Sequence, residues 1–257
     1  MTISRNRLKY LSSLKIKKVR TKHRQFIIEG DKIVSDILKE GKTSFRQLIA
    51  SPEWLRSNNK LITCKAGEIT EADLTDLERI SSLETSPPVM AVLDMFEHTL
   101  DMKELSDTWC IALDTIQDPG NLGTIIRSAD WFGIRHIICN NGCADYFNPK
   151  VIQSSMGAIL RVNVYYGDLS SIMKEYASGL SLPVYGAFME GMPVYNIPGG
   201  KRGMIVFGNE SRGISEELIP LIQSRITIPP GNNGTSHIES LNVASAVSVV
   251  CSVISRL

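Results

Sequence analysis

Short continuous apolar runs alternate along this chain with longer stretches whose apolar positions recur every three or four residues. Runs of the first kind predict strands covered on both faces, and the second kind predicts helices with one buried side. In the first part, Leu8, Leu11 and Leu14 predict an amphipathic helix over about residues 4–18. Phe26–Ile28 predicts a strand, followed by a helix from Asp31 to a C-capping Gly41. Gln47–Ala50 and Lys60–Cys64 read as strands, and Thr70 before the acidic Glu71 and Asp73 reads as a helix start. Val89–Leu93 closes this part as a strand.

The second part opens with the strand Trp109–Leu113 and a helix beginning after Gly120. Then come a strand Ile134–Cys139, a helix near Pro149–Gly157, a strand Arg161–Tyr166, a helix over 168–179 and a strand Val184–Phe188. Met204–Phe207 predicts a further strand, followed by a helix over about 215–223, the strand Arg225–Ile228 and a long final helix from about 240. Alternation of this kind predicts an α/β protein with a mostly parallel sheet. Two domains are expected, over residues 1–95 and 108–257, with a polar linker over 96–107.

At 257 residues, 43% hydrophobic and 21% charged, the composition is that of an ordinary globular chain. No apolar run reaches the roughly 18 residues needed to span a bilayer. The basic N-terminus lacks the apolar core of a secretory signal, so a cytoplasmic location is the default expectation. The net charge of +1 hides an asymmetry: residues 1–24 hold nine of the 28 basic residues and no acid. The remaining 19 basic residues face 27 acids, a net −8. A basic leading helix on an acidic body suits a polyanion partner, although a solvated helix face has the same signature.

The five cysteines are scattered, most inside apolar runs, where free thiols act as small buried hydrophobes. His136, Cys139 and Cys143 approach a metal-ligand spacing, but no second ligand pair follows and no metal site is expected.

Chemistry concentrates in three polar segments that each follow a predicted strand: Asp118–Arg127, Gly208–Gly213, and Ile228-Pro229 followed by Ser240–Ala244. The carboxyl edge of such a sheet is where ligands bind. Neither the G-x-G-x-x-G dinucleotide fingerprint nor a G-x-x-x-x-G-K-[ST] phosphate loop is present. Singly, each segment has a structural explanation. Asp118-Pro119-Gly120-Asn121 is a good turn, Glu210 suits a helix N-terminus, and Ser240 suits a helix cap. Asn121 and Arg127 flank the start of one helix, and a guanidinium there is suited to phosphate.

Together the segments resemble the three motifs of the SpoU (TrmH-like) ribose methyltransferases of the SPOUT superfamily. The match is carried by Asn121-Leu122-Gly123 with Arg127, by Gly208-Asn209-Glu210-Ser211-Arg212-Gly213, and by Ile228-Pro229 with Ser240-Leu241-Asn242-Val243-Ala244-Ser245-Ala246. Phe26–Gly30 and Thr85–Val92 are similar to the family's substrate-binding domain, an α/β unit of the ribosomal-protein L30e type. Two features depart from the pattern: the loop Pro230–Glu239 is longer, and Pro88-Val89 stands where many relatives carry glutamine and glycine.

The resemblance implies transfer of a methyl group from S-adenosylmethionine to a ribose 2′-hydroxyl of RNA, ribosomal RNA before tRNA. It also implies a trefoil-knotted sheet, a cofactor pocket within the knot and a homodimer through the catalytic domain. Arg127, Asn121, Glu210, Ser240 and Asn242 would be the catalytic set. Ala187, Gly208, Glu210, Gly213, Ile228, Ser240 and Leu241 would line the cofactor pocket. RNA would meet Arg127 and the leading basic residues Arg5, Arg7, Lys17, Lys18, Arg20 and Arg24. The apolar final helix, Val243–Ile254, would lie at the dimer interface, with burial inside one subunit as the alternative. A non-catalytic RNA-binding protein of the same fold is the alternative, and the intact motif residues oppose it.

Overall fold

The computed structural model describes residues 3–62, 66–200, 202–231 and 240–257. They form two compact units, Met1–Phe96 with Phe147–Gly157, and Glu97–Tyr146 with Ala158–Leu257.

The first unit begins with two helices, α1 (Arg5–Ser13) and α2 (Lys17–His23), where one was expected. The break has a physical reason. The buried Arg20 guanidinium donates to Leu14 O at 3.0 Å and Lys15 O at 2.7 Å, which satisfies carbonyls the first helix leaves open. Leu8, Leu11 and Leu14 are buried against Leu77, Ile80 and Met90, as the period predicts.

The chain continues through β1 (Gln25–Glu29), α3 (Asp31–Glu40), β2 (Phe45–Ala50), α4 (Pro52–Ser57) and α5 (Asn59–Ile62). It then forms β3 (Ala66–Glu71), α6 (Leu74–Ile80) and β4 (Val89–Asp94). The strand order is β1-β4-β2-β3, with β4 antiparallel to both neighbours and β2 parallel to β3. Gly41 caps α3 in the left-handed conformation, as expected.

Two expectations fail here. Lys60–Ile62 belongs to α5, because Asn58 O receives the amides of Leu61 and Ile62; Thr63 and Cys64 lie outside the described residues. The strand follows at β3 and includes Thr70, whose hydroxyl receives Gln47 Nε2 at 2.8 Å. Asp73 is the residue that caps α6, accepting from Asp76 N at 2.8 Å.

The second unit is built from β5 (Trp109–Leu113), α7 (Pro119–Trp131), β6 (His136–Asn140) and, after α8 (Pro149–Ser155), β7 (Asn163–Gly167). It continues with α9 (Leu169–Gly179), β8 (Val184–Pro193), β9 (Gly203–Phe207), β10 (Ser224–Thr227) and α10 (Val243–Ile254). Its strands run β10-β8-β9-β5-β6-β7, every pairing parallel. The expected mostly parallel α/β sheet is therefore present. β5 and β9 are wholly buried, as sheet-centre strands covered on both faces must be. On one face Cys110, Ala112, Ile138 and Val206 pack under Leu169, Met173 and Tyr176 of α9. Helices α7 and α10 lie together, joined by a 2.7 Å hydrogen bond between the Ser128 and Ser248 hydroxyls.

Three departures follow from packing. The helix expected over 215–223 reduces to a 3₁₀ turn at Ile219–Leu221, since Pro220 cannot supply a helical amide. Residues 96–107 are not a free linker: Leu105 is fully buried in the core of the second unit. Phe147 to Gly157, α8 included, groups with the first unit, where the Phe147 ring lies 4.9 Å from that of Phe26. The strand order reverses between β5 and β9, and the carboxyl ends of those two strands open the crevice where open α/β sheets bind ligands.

Candidate active site

The three polar segments meet at that crevice. Asp118 caps α7 by accepting from Asn121 N at 2.8 Å, with Pro119 preset for the first helical position. Asn121 thus stands on the opening turn. After β9 the chain turns back on itself: Asn209 and Gly213 exchange two backbone hydrogen bonds of 2.9 Å. The turn forces two backbones together. A Cβ on Gly208 would lie 2.1 Å from Gly213 C, so only glycine fits. Asn209 Oδ1 receives the amides of Ser211 at 3.0 Å and Arg212 at 3.2 Å, which presents Glu210 at the tip. In the third segment Asn242 caps α10, accepting from Ala244 N at 2.9 Å.

One hydrogen-bonded chain joins these pieces. Asn121 Nδ2 donates to Glu210 Oε1 at 2.7 Å, and Asn242 Nδ2 donates to Asn121 Oδ1 at 3.0 Å. Both ends of the Asn121 amide are therefore committed, and its rotation is fixed.

Beside the chain lies a pocket of about 680 Å³, within the usual range for small-molecule sites. Ala187, Gly208, Glu210, Gly213, Ile228, Ser240 and Leu241 all line it, so every residue expected around the cofactor borders one cavity. Phe207, Ile226 and Val250 supply apolar wall, and Glu210 brings a carboxylate. A ligand of nucleoside size fits this volume and apolar wall, and the charged groups at its border are the Glu210 carboxylate and the guanidiniums of Arg212 and Arg225.

The pocket has a further wall that the pattern did not disclose. Between Arg225 and Ile226 the β10–β8 pairing jumps from Gly186 to Met192, so residues 187–191 leave the ladder. Thr227 Oγ1 donates to Met189 O at 2.9 Å, and the Arg225 guanidinium sits 4.5 Å over the Phe188 ring. Phe188, Met189 and Arg225 all border the cavity. The nearly continuous apolar run Val184–Met189 gives no sign of a bulge, and Gly186 and Gly191 are its local signal.

Other expected residues separate. Arg127 is exposed on α7 and does not border the pocket. Six helical residues turn the chain so that Arg127 lies about 120° around α7 from Asn121 and about 9 Å along it. Of the leading basic residues, Arg5, Lys17, Lys18 and Arg24 are exposed. Arg7 is half-buried, donating to Gln47 Oε1 and standing 4.0 Å from Glu68. Arg20 is a correction: it is buried and spends its guanidinium on backbone carbonyls, so it does not belong to the basic surface. His136 Nδ1 lies 3.0 Å from the Tyr165 hydroxyl, and Cys143 Sγ donates to Leu113 O at 3.3 Å. Of the loop Pro230–Glu239, residues 232–239 lie outside the described residues.

The parallel sheet thus gathers the three motif segments at its carboxyl edge, beside one pocket of nucleoside size. The chain belongs to the SpoU rRNA methylase family, whose model matches residues 108–252; an MRM3-like substrate binding domain matches residues 5–91. It is 30% identical, over 95% of its length and 94% of the relative's, to the Bacillus subtilis 23S rRNA (guanosine(2553)-2′-O)-methyltransferase RlmP. A structure described as an RNA methyltransferase of the TrmH family from Porphyromonas gingivalis superposes with a TM-score of 0.84 at 37% identity, covering 100% of this chain and 99% of that one. The same fold recurs in the SpoU methyltransferase AviRb from Streptomyces viridochromogenes in complex with AdoMet, at a TM-score of 0.81 and 22% identity over 98% of both chains.

Proposed function

We propose that this protein methylates a ribose 2′-hydroxyl of 23S ribosomal RNA, with S-adenosylmethionine as donor. The observation that carries the reading is the chain Asn242–Asn121–Glu210, which ties three distant segments together beside a pocket fitted to a nucleoside. A relative that matches nearly the whole chain, the Bacillus subtilis enzyme, is named for 23S rRNA, which supports ribosomal RNA over tRNA.

Ala187, Gly208, Gly213, Ile228, Ser240 and Leu241 would hold the cofactor between the β9 turn and the segment before α10. S-adenosylmethionine supplies, when bound, a methyl group activated by a sulfonium charge. The protein's part is alignment of the ribose oxygen and control of its proton. Glu210 supplies negative charge at the pocket, and Asn121, locked at both ends, presents a fixed polar edge to the ribose. A guanidinium carries donors and no acceptor, so the part of Arg127 is to grip phosphate and orient the hydroxyl with its planar fork.

The sheet of the second unit carries the family's trefoil knot in this reading, and the first unit is an RNA-binding domain of the L30e type. Lys17, Lys18, Arg5 and Arg24 offer it a basic surface. The protein acts in the cytoplasm as a homodimer. The half-buried apolar residues Ala246, Val249 and Val253 of α10, and the 83% exposed Trp131 at the end of α7, support that assembly. Among the described residues, no helix is long and apolar enough to cross a membrane.

The test is transfer of labelled methyl to 23S rRNA and to tRNA, with mapping of the alkali-resistant ribose in cells with and without the gene. Methyl in tRNA alone would overturn the ribosomal assignment. Cofactor binding absent by calorimetry would favour the non-catalytic alternative.

A further inference from the structure

The Asn209 turn that presents Glu210 is itself held from below, by residues outside all three motifs. Asp114 follows β5 and is 1% exposed. Its carboxylate accepts from the Thr115 hydroxyl at 2.9 Å, Asn140 Nδ2 at 2.7 Å and Ser215 N at 2.7 Å. Asn140, at the end of β6, also donates to Thr115 Oγ1 at 2.9 Å, and its Oδ1 receives Thr115 N at 2.9 Å and Gly142 N at 3.1 Å. Thr115 is the focus of these bonds. It has φ +59°, a left-handed conformation that a β-branched residue adopts only under constraint. The surroundings are tight: a Cβ on Gly142 would stand 3.0 Å from Thr115 Oγ1. The Thr115 carbonyl in turn receives Asn209 Nδ2 at 2.8 Å.

We infer that Asn140 and Asp114 are positioning residues for the methyl transfer: they clamp Thr115 in its left-handed conformation, so that its carbonyl fixes Asn209 and, through Asn209, Glu210. A polar bond between β5 and β6 is thereby converted into the placement of a side chain beyond β9. The same carboxylate takes Ser215 N, so it holds the far end of the Gly208–Gly213 turn as well. The inference rests on the methyltransferase reading for its catalytic consequence and on the hydrogen bonds alone for its structural one.

A glycine exchange separates this role from a merely structural one. Asn140→Ala should lower the turnover of RNA methylation by roughly ten- to a hundredfold, the scale for a small misplacement of reacting groups, and should weaken calorimetric affinity for S-adenosylmethionine less than that, since the turn it holds lines only one side of the pocket. Adding Thr115→Gly should restore turnover several-fold, because glycine enters positive φ without the steric cost that a β-branched residue needs a clamp to overcome. Two general destabilisations would instead add. Wild-type turnover in Asn140→Ala, or a double variant no faster than Asn140→Ala, overturns the inference.

If melting shows that Asn140→Ala does not fold, Thr115→Val and Thr115→Gly replace it. The clamp requires the valine variant to be slow and the glycine variant near wild type; equal rates overturn it. A readout free of activity is the set of side-chain amide resonances of Asn209 and Asn121. These should shift in Asn140→Ala, or in Thr115→Val, and return toward the wild-type positions when Thr115 is glycine. If the intact chain transfers no methyl to RNA, the functional reading fails while these resonances still decide the clamp. Resonances that do not move overturn it.

Discussion

Asn121 and Glu210, separated by 89 residues, share a 2.7 Å hydrogen bond between the first turn of α7 and the turn after β9. Neither segment has a local reason to meet the other. The parallel pairing of β5 with β9 brings them together, because it sets the carboxyl ends of both strands side by side. The bond is thus a property of sheet topology that the catalytic reading depends on.

Glu210→Ala removes the charged acceptor from that bond. A hydrogen bond to a charged group contributes about 1.5–3 kcal/mol, so methyl transfer should fall roughly ten- to a hundredfold. Thermal stability should change little, since Glu210 sits at an exposed turn. Labelled-methyl transfer and a melting curve on the same preparation check both halves; a stable, fully active variant would remove Glu210 from the site.

Asn242 has two separable tasks, capping α10 and holding Asn121. Asn242→Ala loses both and should cost about 1 kcal/mol, near 2–4 °C in Tm for a unit of this size. Asn242→Ser retains an equivalent cap but falls short of Asn121. It should melt close to wild type yet turn over about tenfold more slowly. If the serine variant is as active as wild type, the bond to Asn121 does not matter to the reaction.

The leading basic residues divide by environment. Lys17→Glu with Lys18→Glu should weaken RNA binding and flatten its salt dependence while the melting temperature holds, because both side chains are exposed. Arg20→Ala should do the reverse, lowering Tm by leaving Leu14 O and Lys15 O without their donor. Filter binding across a salt series, with melts alongside, separates the two.

Burial pushes the Cys110 and Cys251 thiols from the usual 9.0 up to about 12. In the folded chain they stay protonated where the unfolded chain has released the proton. The stability they contribute is therefore complete below about pH 9 and lost as pH rises toward about 12. Melting temperature should fall with pH above about 9. Cys110→Ala with Cys251→Ala should fall less steeply between about pH 9 and 10, below the ordinary tyrosine range. Identical slopes would exclude the two thiols. Cys143, by contrast, is held below the ordinary thiol value by the hydrogen bond from Cys139.

Much of this protein is legible along the chain. The order of strands in the second unit, the buried Leu8, Leu11 and Leu14 and the cap at Gly41 follow from local pattern, and part of the pocket lining follows from the motifs. Each depends on neighbours a few residues away, which is what periodicity and turn chemistry encode. Where the period was too short to decide, the reading went wrong: Lys60–Ile62 is helical, and the helix cap is Asp73 three residues after Thr70.

What the tertiary structure decided depends on partners far apart in sequence. Arg20 looked like its exposed neighbours until the end of α1 supplied two carbonyls for it. The step in β8 that carries Phe188 and Met189 to the pocket exists only against β10. Nothing near Thr115 announces its positive φ, which is held by Asn140, 25 residues away, and exploited by Asn209, 94 residues away. Resemblance to the family's three motifs chose the residues of the site, and the parallel sheet chose which of them touch, because a hydrogen bond requires about 3 Å and no sequence interval specifies that distance.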